Sequence, residues 1–179
     1  MTLILAVSLG VNLLLAYKIR QTNQPGPPPQ RFSALPAGTV VAPIKAQDID
    51  GREVTISPQD SSQPLVIYVF TPQCVWCMRN LANLHKILAE KHDAYRFVGI
   101  SLTDKDLKTY LLNQKIDIPV FLNPAEQSRS QYRLGPTPQT IVVSSDGKVI
   151  QNWVGAYTGA QQADVEKFFG VNLPGLAGD

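Results

Sequence analysis

The sequence predicts a mixed α/β domain, a sheet with helices on both faces, behind an apolar N-terminal segment and a proline-rich spacer. Three observations predict it. Short β-rich apolar runs alternate with stretches of helical periodicity, which argues for a layered sheet-and-helix domain. A hairpin signal opens the domain, and a second hairpin followed by a helix closes it. Both cysteines of the 179-residue chain fall in one strand-to-helix turn, Phe70-Thr-Pro-Gln-Cys-Val-Trp-Cys-Met-Arg-Asn80.

The elements follow in order. Val40–Ile56 carries two apolar runs around Asp50-Gly51, a hairpin turn dipeptide. Leu65–Phe70 (LVIYVF) is continuously apolar, as a central strand buried on both faces should be. Thr71-Pro72 breaks it, and a helix is expected from Cys74 to about Lys91. Its apolar positions Cys77, Leu81, Leu84 and Leu88 draw one stripe. Phe97–Leu102 reads as a second buried strand, and Asp104 as the cap of a helix through Leu112. Ile118–Leu122 is a short strand and Pro124–Tyr132 a short helix. Thr140–Ser144, the Asp146-Gly147 turn and Lys148–Val154 form the closing hairpin, before a last helix from about Ala160 to Phe169.

Bulk properties narrow the function. A content of 44% hydrophobic and 17% charged residues is that of a globular domain. The net charge is +2 and no long Lys/Arg run occurs, which argues against a nucleic-acid partner. Two cysteines cannot make a disulfide framework, so a pair this close is a site or part of the core.

Residues 1–20 are expected to be a transmembrane anchor, with a signal sequence or a buried helix as the alternatives. As a helix, Thr2–Ile19 would span roughly 27 Å, close to the ~30 Å hydrocarbon core, with Lys18 and Arg20 at the headgroups. The run ends in Tyr-Lys-Ile-Arg and lacks a basic start and a small-x-small cleavage site, which disfavours a signal peptide. Read literally, those two cations would hold the following domain in the cytoplasm, unless further basic residues lie upstream. Residues 21–37 form the spacer, with five prolines and one glycine between Gln21 and Pro36. The domain proper takes 38–179.

The cysteine pair has its own chemistry. Three residues apart on a helix, the two share one face, with Cα atoms about 5–5.5 Å apart, inside the disulfide window. Cys74 at the helix start meets unpaired N–H groups and the positive dipole end, which stabilise a thiolate. Cys77 lies a turn deeper. Cys74 would attack a partner's disulfide, and Cys77 would then attack Cys74 and release the reduced partner. A zinc site is the first rival, but the only further soft ligands, His85 and His92, stand about 10.5 Å apart along a helix. Two packing cysteines are the other.

Taken together, the strand, the Cys-x-x-Cys opening a helix and Thr137-Pro138 in LGPTPQTI ahead of a strand resemble the thioredoxin superfamily. The leading hairpin, the apolar N-terminus and an additional strand–helix unit around Asp117–Leu134 make the resemblance closest to membrane-anchored TlpA/ResA-like thiol–disulfide oxidoreductases, over about Gly38–Phe169. The resemblance implies a thioredoxin-like mixed sheet with an N-terminal β-hairpin and a central strand–helix insertion. It further implies a cis Pro138 facing the cysteines, and a Thr137 backbone that pairs with the bound partner. The redox-active Cys74–Cys77 disulfide would then serve without any cofactor or metal. Protein thiols and disulfides outside the cytoplasm would be the partners, among them apocytochrome c and a membrane electron donor. The domain would face the periplasm or outer surface of a bacterial membrane.

This chain also departs from the family pattern. Gln73 stands where many members have Trp, and Trp76 where many have Pro. Trp76 is either a cover or docking anchor for a partner, or a ring packed locally beside the helix start. Asn80 replaces a Glu common in reducing members, and Tyr68 stands where classical thioredoxins place a buried Asp. The carboxylate that deprotonates the deeper thiol is therefore missing, leaving water or another group to do so. Two other functions fit parts of the pattern. Thr71-Pro-Gln-Cys74 matches the Thr-x-x-Cys of peroxiredoxins, which need an arginine at the thiolate, here Arg129 or Arg133; Ile67 occupies the place of their usual proline. The other is a tethered adaptor that kept the fold without the activity.

Overall fold

The structure is a computed structural model that describes residues 33–178 together with residues 12, 14, 15, 17 and 18. The chain divides into two compact units, 1–31 and 32–179. In the first, the five described residues are helical. Most of the expected anchor and spacer lies outside the described residues. Among those described, no helix is long and apolar enough to cross a membrane.

The second unit is built on a seven-stranded sheet in the order β2-β1-β5-β4-β3-β6-β7. The strands are β1 (Ile44–Asp48), β2 (Glu53–Ile56), β3 (Leu65–Phe70), β4 (Arg96–Ser101), β5 (Val120–Leu122), β6 (Gln139–Val143) and β7 (Val149–Val154). The helices are α1 (Val75–Arg79), α2 (Leu81–Lys91), α3 (Leu107–Asn113), α4 (Glu126–Gln131) and α5 (Gly159–Phe169). β3, β4 and β5 run parallel, and β1, β6 and β7 pair antiparallel to their neighbours. The leading hairpin turns where Asp-Gly predicted: Asp48 Oδ1 accepts the amides of Asp50 and Arg52, and Gly51 takes φ +85°, which favours glycine.

All six residues of β3 are buried, and its alternation divides the core. Leu65, Ile67 and Val69 face one layer with Val98, Ile100, Ile141, Tyr132 and Leu134. Leu35, from the end of the expected spacer, also packs there. Val66 faces Ile87 of α2 and Val165 and Phe169 of α5. Tyr68 and Phe70 face Cys77, Leu81, Leu84 and Tyr110. Helices thus cover both faces unequally, with α2, α3 and α5 on the cysteine side and the end of α4 on the other. β5 and α4 are the inserted strand–helix unit, and β5 slots between β1 and β4.

Gly99 of β4 lets this arrangement close beneath the cysteine layer. A Cβ there would meet Val120 Cγ2 at 2.9 Å and Phe70 Cε1 at 3.2 Å. Gly99→Ala is expected to cost about 1–3 kcal/mol by overpacking, read as a lower urea midpoint at unchanged slope.

Several boundaries differ from the sequence reading. The single helix expected over 74–91 is two: Asn80, at φ −85° and ψ −4°, ends α1 and precedes α2. Ile87, 1% exposed, takes the buried place read for Leu88, which is only partly covered. The cap of α3 is Asp106 rather than Asp104; its φ is +58° and its side chain caps nothing. β5 starts at Val120 because Pro119 has no N–H to give a ladder. The short helix occupies 126–131.

Candidate active site

The redox turn begins where β3 delivers Phe70 into the core. The chain turns through Thr71-Pro72-Gln73, with the Cys74 amide donating to Thr71 O at 3.1 Å. Gln73 Nε2 donates to Lys105 O at 3.1 Å and to Asp106 Oδ2 at 3.4 Å, tying this turn to the loop before α3. Cys74 is the cap residue of α1, and its Sγ accepts the Cys77 amide at 3.0 Å. The two cysteines are joined in a disulfide, with Cα atoms 5.2 Å apart.

The two sulfurs see different surroundings. Cys74 is half-buried, while Cys77 is fully buried in the layer with Tyr68, Phe70, Leu81 and Leu84. A partner can therefore reach only the outer sulfur, which already has an amide donor aimed at it. That amide favours a thiolate there once the disulfide opens.

Around the opening lie Val75, Trp76 and Met78, respectively 59%, 52% and 40% exposed. Trp76 neither covers the disulfide as a buried lid nor packs into the core. Its ring lies open to solvent, with the Arg79 guanidinium 5.0 Å from its centroid, a cation–π arrangement. The Thr137–Pro138 peptide is cis. Gln139, the next residue, pairs with Val69, which sets this peptide beside the end of β3 that leads into Cys74. The structure thus brings Cys74, Cys77, Thr137 and Pro138 to one edge of the sheet, with Trp76 on its outer surface.

Behind Cys77 is a neutral polar cluster that the sequence did not disclose. Asn80 is fully buried, and its Oδ1 accepts the Tyr157 amide at 3.1 Å and Asn83 Nδ2 at 3.0 Å. Asn83 Oδ1 in turn accepts the Gly175 amide at 3.0 Å. The Tyr157 hydroxyl shares a 2.5 Å hydrogen bond with Thr140. Burial, and the neighbouring Tyr157, push the Tyr68 hydroxyl well above the ordinary phenol range. Burial pushes Tyr110 and Tyr157 up to about 12. All three stay protonated at neutral pH.

The C-terminal segment also reaches the site. Val171 and Leu173 are buried, the Ala177 amide donates to Arg79 O at 2.9 Å, and Arg79 Nε donates to Ala177 O at 3.0 Å. Sequence reading missed this strap; the apolar Val171 and Leu173 after Gly170 were its only signal.

The peroxidase reading is not favoured. Arg129 and Arg133 belong to α4 and its end, on the face of the sheet opposite Cys77. Arg133 is engaged with Ser33 and Ala34. Among the described residues, no three His, Cys, Asp or Glu side chains gather as a metal site would need.

A thioredoxin-like sheet with a disulfide across the mouth of a helix, beside a cis proline, defines an oxidoreductase of the thioredoxin superfamily. The chain belongs to the AhpC/TSA family, whose model matches residues 37–152. Its fold is similar to the thioredoxin domain of a thiol–disulfide oxidoreductase from Bacteroides vulgatus, at 22% identity and TM-score 0.60, covering 76% of this chain and 99% of that one. It is similar to StoA from Bacillus subtilis, at 17% identity and TM-score 0.55, covering 77% and 99%. A secreted Mycobacterium tuberculosis disulfide oxidoreductase homologous to E. coli DsbE matches at 16% identity and TM-score 0.57, covering 70% and 93%. No curated protein matches the sequence.

Proposed function

We propose that this protein exchanges the Cys74–Cys77 disulfide with protein thiols and disulfides outside the cytoplasm, as a reductant toward substrates such as apocytochrome c. The observation that carries the reading is the asymmetry of the pair: a reachable Cys74 sulfur with an amide donor at 3.0 Å, and a Cys77 sulfur sealed behind it. In the reducing direction the Cys74 thiolate attacks a partner disulfide. One S–S bond forms, another breaks, and the partner's first sulfur leaves as a thiolate. Cys77 then attacks Cys74, closing the internal disulfide and releasing the partner's second sulfur. Two electrons have passed to the partner.

Thr137 offers its backbone beside the cis proline to an extended partner segment, and Trp76 supplies an exposed aromatic anchor. Residues 1–20 tether the domain to a bacterial membrane, with 21–37 as the spacer and a membrane protein as the electron donor. The secreted relative from Mycobacterium tuberculosis supports the compartment.

The test is to mix the reduced protein with an oxidised Cys-x-x-Cys apocytochrome peptide and follow both thiol pairs by alkylation and mass. Stoichiometric appearance of the peptide's thiols with loss of those of Cys74 and Cys77 is expected. Unchanged thiols on both sides would overturn the reading.

A further inference from the structure

Resting on that reading, the structure answers how the inner sulfur works without a neighbouring carboxylate. Among the described residues no Asp or Glu is buried, so no buried acid stands in for the missing one. What lies there instead is a set of buried neutral donors. The Tyr68 and Tyr110 hydroxyls and Asn80 Nδ2 are all buried; the Asn80 amide meets the Tyr68 oxygen, and no acceptor receives either hydroxyl. Orphaned polar atoms inside a core are rare and call for an explanation.

The geometry fixes which end of Asn80 is free. Its Oδ1 must be the atom that receives the Tyr157 amide, because an N–H can only donate. Nδ2 is therefore the atom turned to the Tyr68 oxygen, with its second hydrogen unclaimed. Asn80 follows Cys77 by one helical turn, so the two side chains leave the backbone on one face. Tyr68 rises from β3 into the same layer as Cys77. The remaining titratable groups facing this layer are Tyr110 from α3 and Tyr157 from the loop before α5, both neutral at physiological pH.

We propose that Tyr68 and Asn80 are the donors that hold the Cys77 sulfur as a thiolate, so that the inner cysteine is activated by hydrogen bonding to its anion rather than by a base that removes its proton. In the oxidised protein the disulfide sulfur is a weak acceptor, and the Tyr68 O–H and the second Asn80 N–H wait without an acceptor. When a thiolate attacks Cys74, the bond to Cys77 breaks and its electron pair stays on Cys77 Sγ, the new acceptor to which the donors turn. In the resolving direction, the Cys77 thiol gives its proton to solvent and its anion attacks Cys74. The bond from Cys74 to the partner breaks, and the departing partner thiolate takes a proton from solvent. Donors that stabilise the anion help in both directions, since they raise the thiolate fraction and make a better leaving group.

Tyr68→Phe tests this. The substitution removes the hydroxyl and keeps the ring, which stacks on Phe70 with centroids 5.9 Å apart. Two readouts are used: the thiolate ultraviolet absorbance of Cys77 against pH in a Cys74→Ser background, and the rate at which Cys77 resolves a preformed mixed disulfide on Cys74. Losing a charge-assisted donor is expected to raise the Cys77 pKa by about one unit and slow resolution roughly threefold, the lower thiolate fraction being partly offset by the greater nucleophilicity of the anion, while attack of the Cys74 thiolate on a partner disulfide is unchanged. An unaltered titration and resolution rate in a variant of native circular dichroism would overturn the donor role. If the protein with both cysteines intact forms no mixed disulfide, the exchange reading itself fails instead.

Discussion

Replacing Cys77 by serine is expected to stop the exchange halfway. The variant should react with a partner disulfide at close to the normal rate, then remain joined to it through Cys74, visible as a stable adduct on a non-reducing gel. Cys74→Ser should form no adduct and lose turnover by at least about 10³-fold. The contrast follows from burial and donors. Only Cys74 combines access with an amide at 3.0 Å, whereas Cys77 is 0% exposed and can meet no external sulfur. A serine at 77 keeps the backbone N–H that donates to Cys74, so the outer thiolate keeps its stabilisation. What is lost is the only sulfur able to reach Cys74 from inside. A partner caught on Cys77 in the Cys74→Ser variant would reverse this division of labour.

Much of the fold was legible because its signals are local and redundant. Leu65–Phe70 is apolar throughout and is buried throughout. Asp50-Gly51 and Asp146-Gly147 marked both hairpins, and Gly51 and Gly147 do take positive φ. The break at Asn80 was invisible for the opposite reason. Cys77, Leu81 and Leu84 stay on one buried face across it, so apolar spacing alone cannot register it. Asp104 and Asp106 are equivalent as cap residues in composition. The choice between them depended on the left-handed backbone at Asp106 and on Gln73 reaching that loop from the redox turn.

The site divides the same way. The disulfide followed from spacing and from the strand before it. The polar cluster behind it did not, because Tyr68, Asn80, Asn83, Tyr157 and Gly175 come from separate parts of the chain. A sequence shows Asn80 as a carboxylate that is missing. The structure shows an amide that accepts on one edge and offers hydrogens toward Tyr68 on the other, which a carboxylate could not reproduce, having no hydrogens to offer.

Two substitutions in that cluster should move stability in opposite senses. Asn80→Ala strips the acceptor from the Tyr157 amide and from Asn83 Nδ2, both in buried residues. Each unpaired donor costs about 1–3 kcal/mol, so a loss of roughly 2–6 kcal/mol is expected, a large share of a typical domain's stability. Asn83, freed from Asn80, would also hold Gly175 less firmly, and protease sensitivity after Val171 should rise with it. Tyr68→Phe removes a hydroxyl whose oxygen meets the Asn80 amide and whose hydrogen has no acceptor in the oxidised protein. Its burial there is only partly compensated, so the oxidised variant should be unchanged or up to about 1 kcal/mol more stable. Urea midpoints of the two oxidised variants measure both. An equal loss at the two positions would mean that the Tyr68 hydroxyl is satisfied in the resting state, for instance by a buried water, and has nothing in reserve for the sulfur. A loss at Asn80 alone separates the two roles, with one edge of the amide holding the fold and the other, together with Tyr68, kept for the thiolate at a standing cost to the oxidised protein.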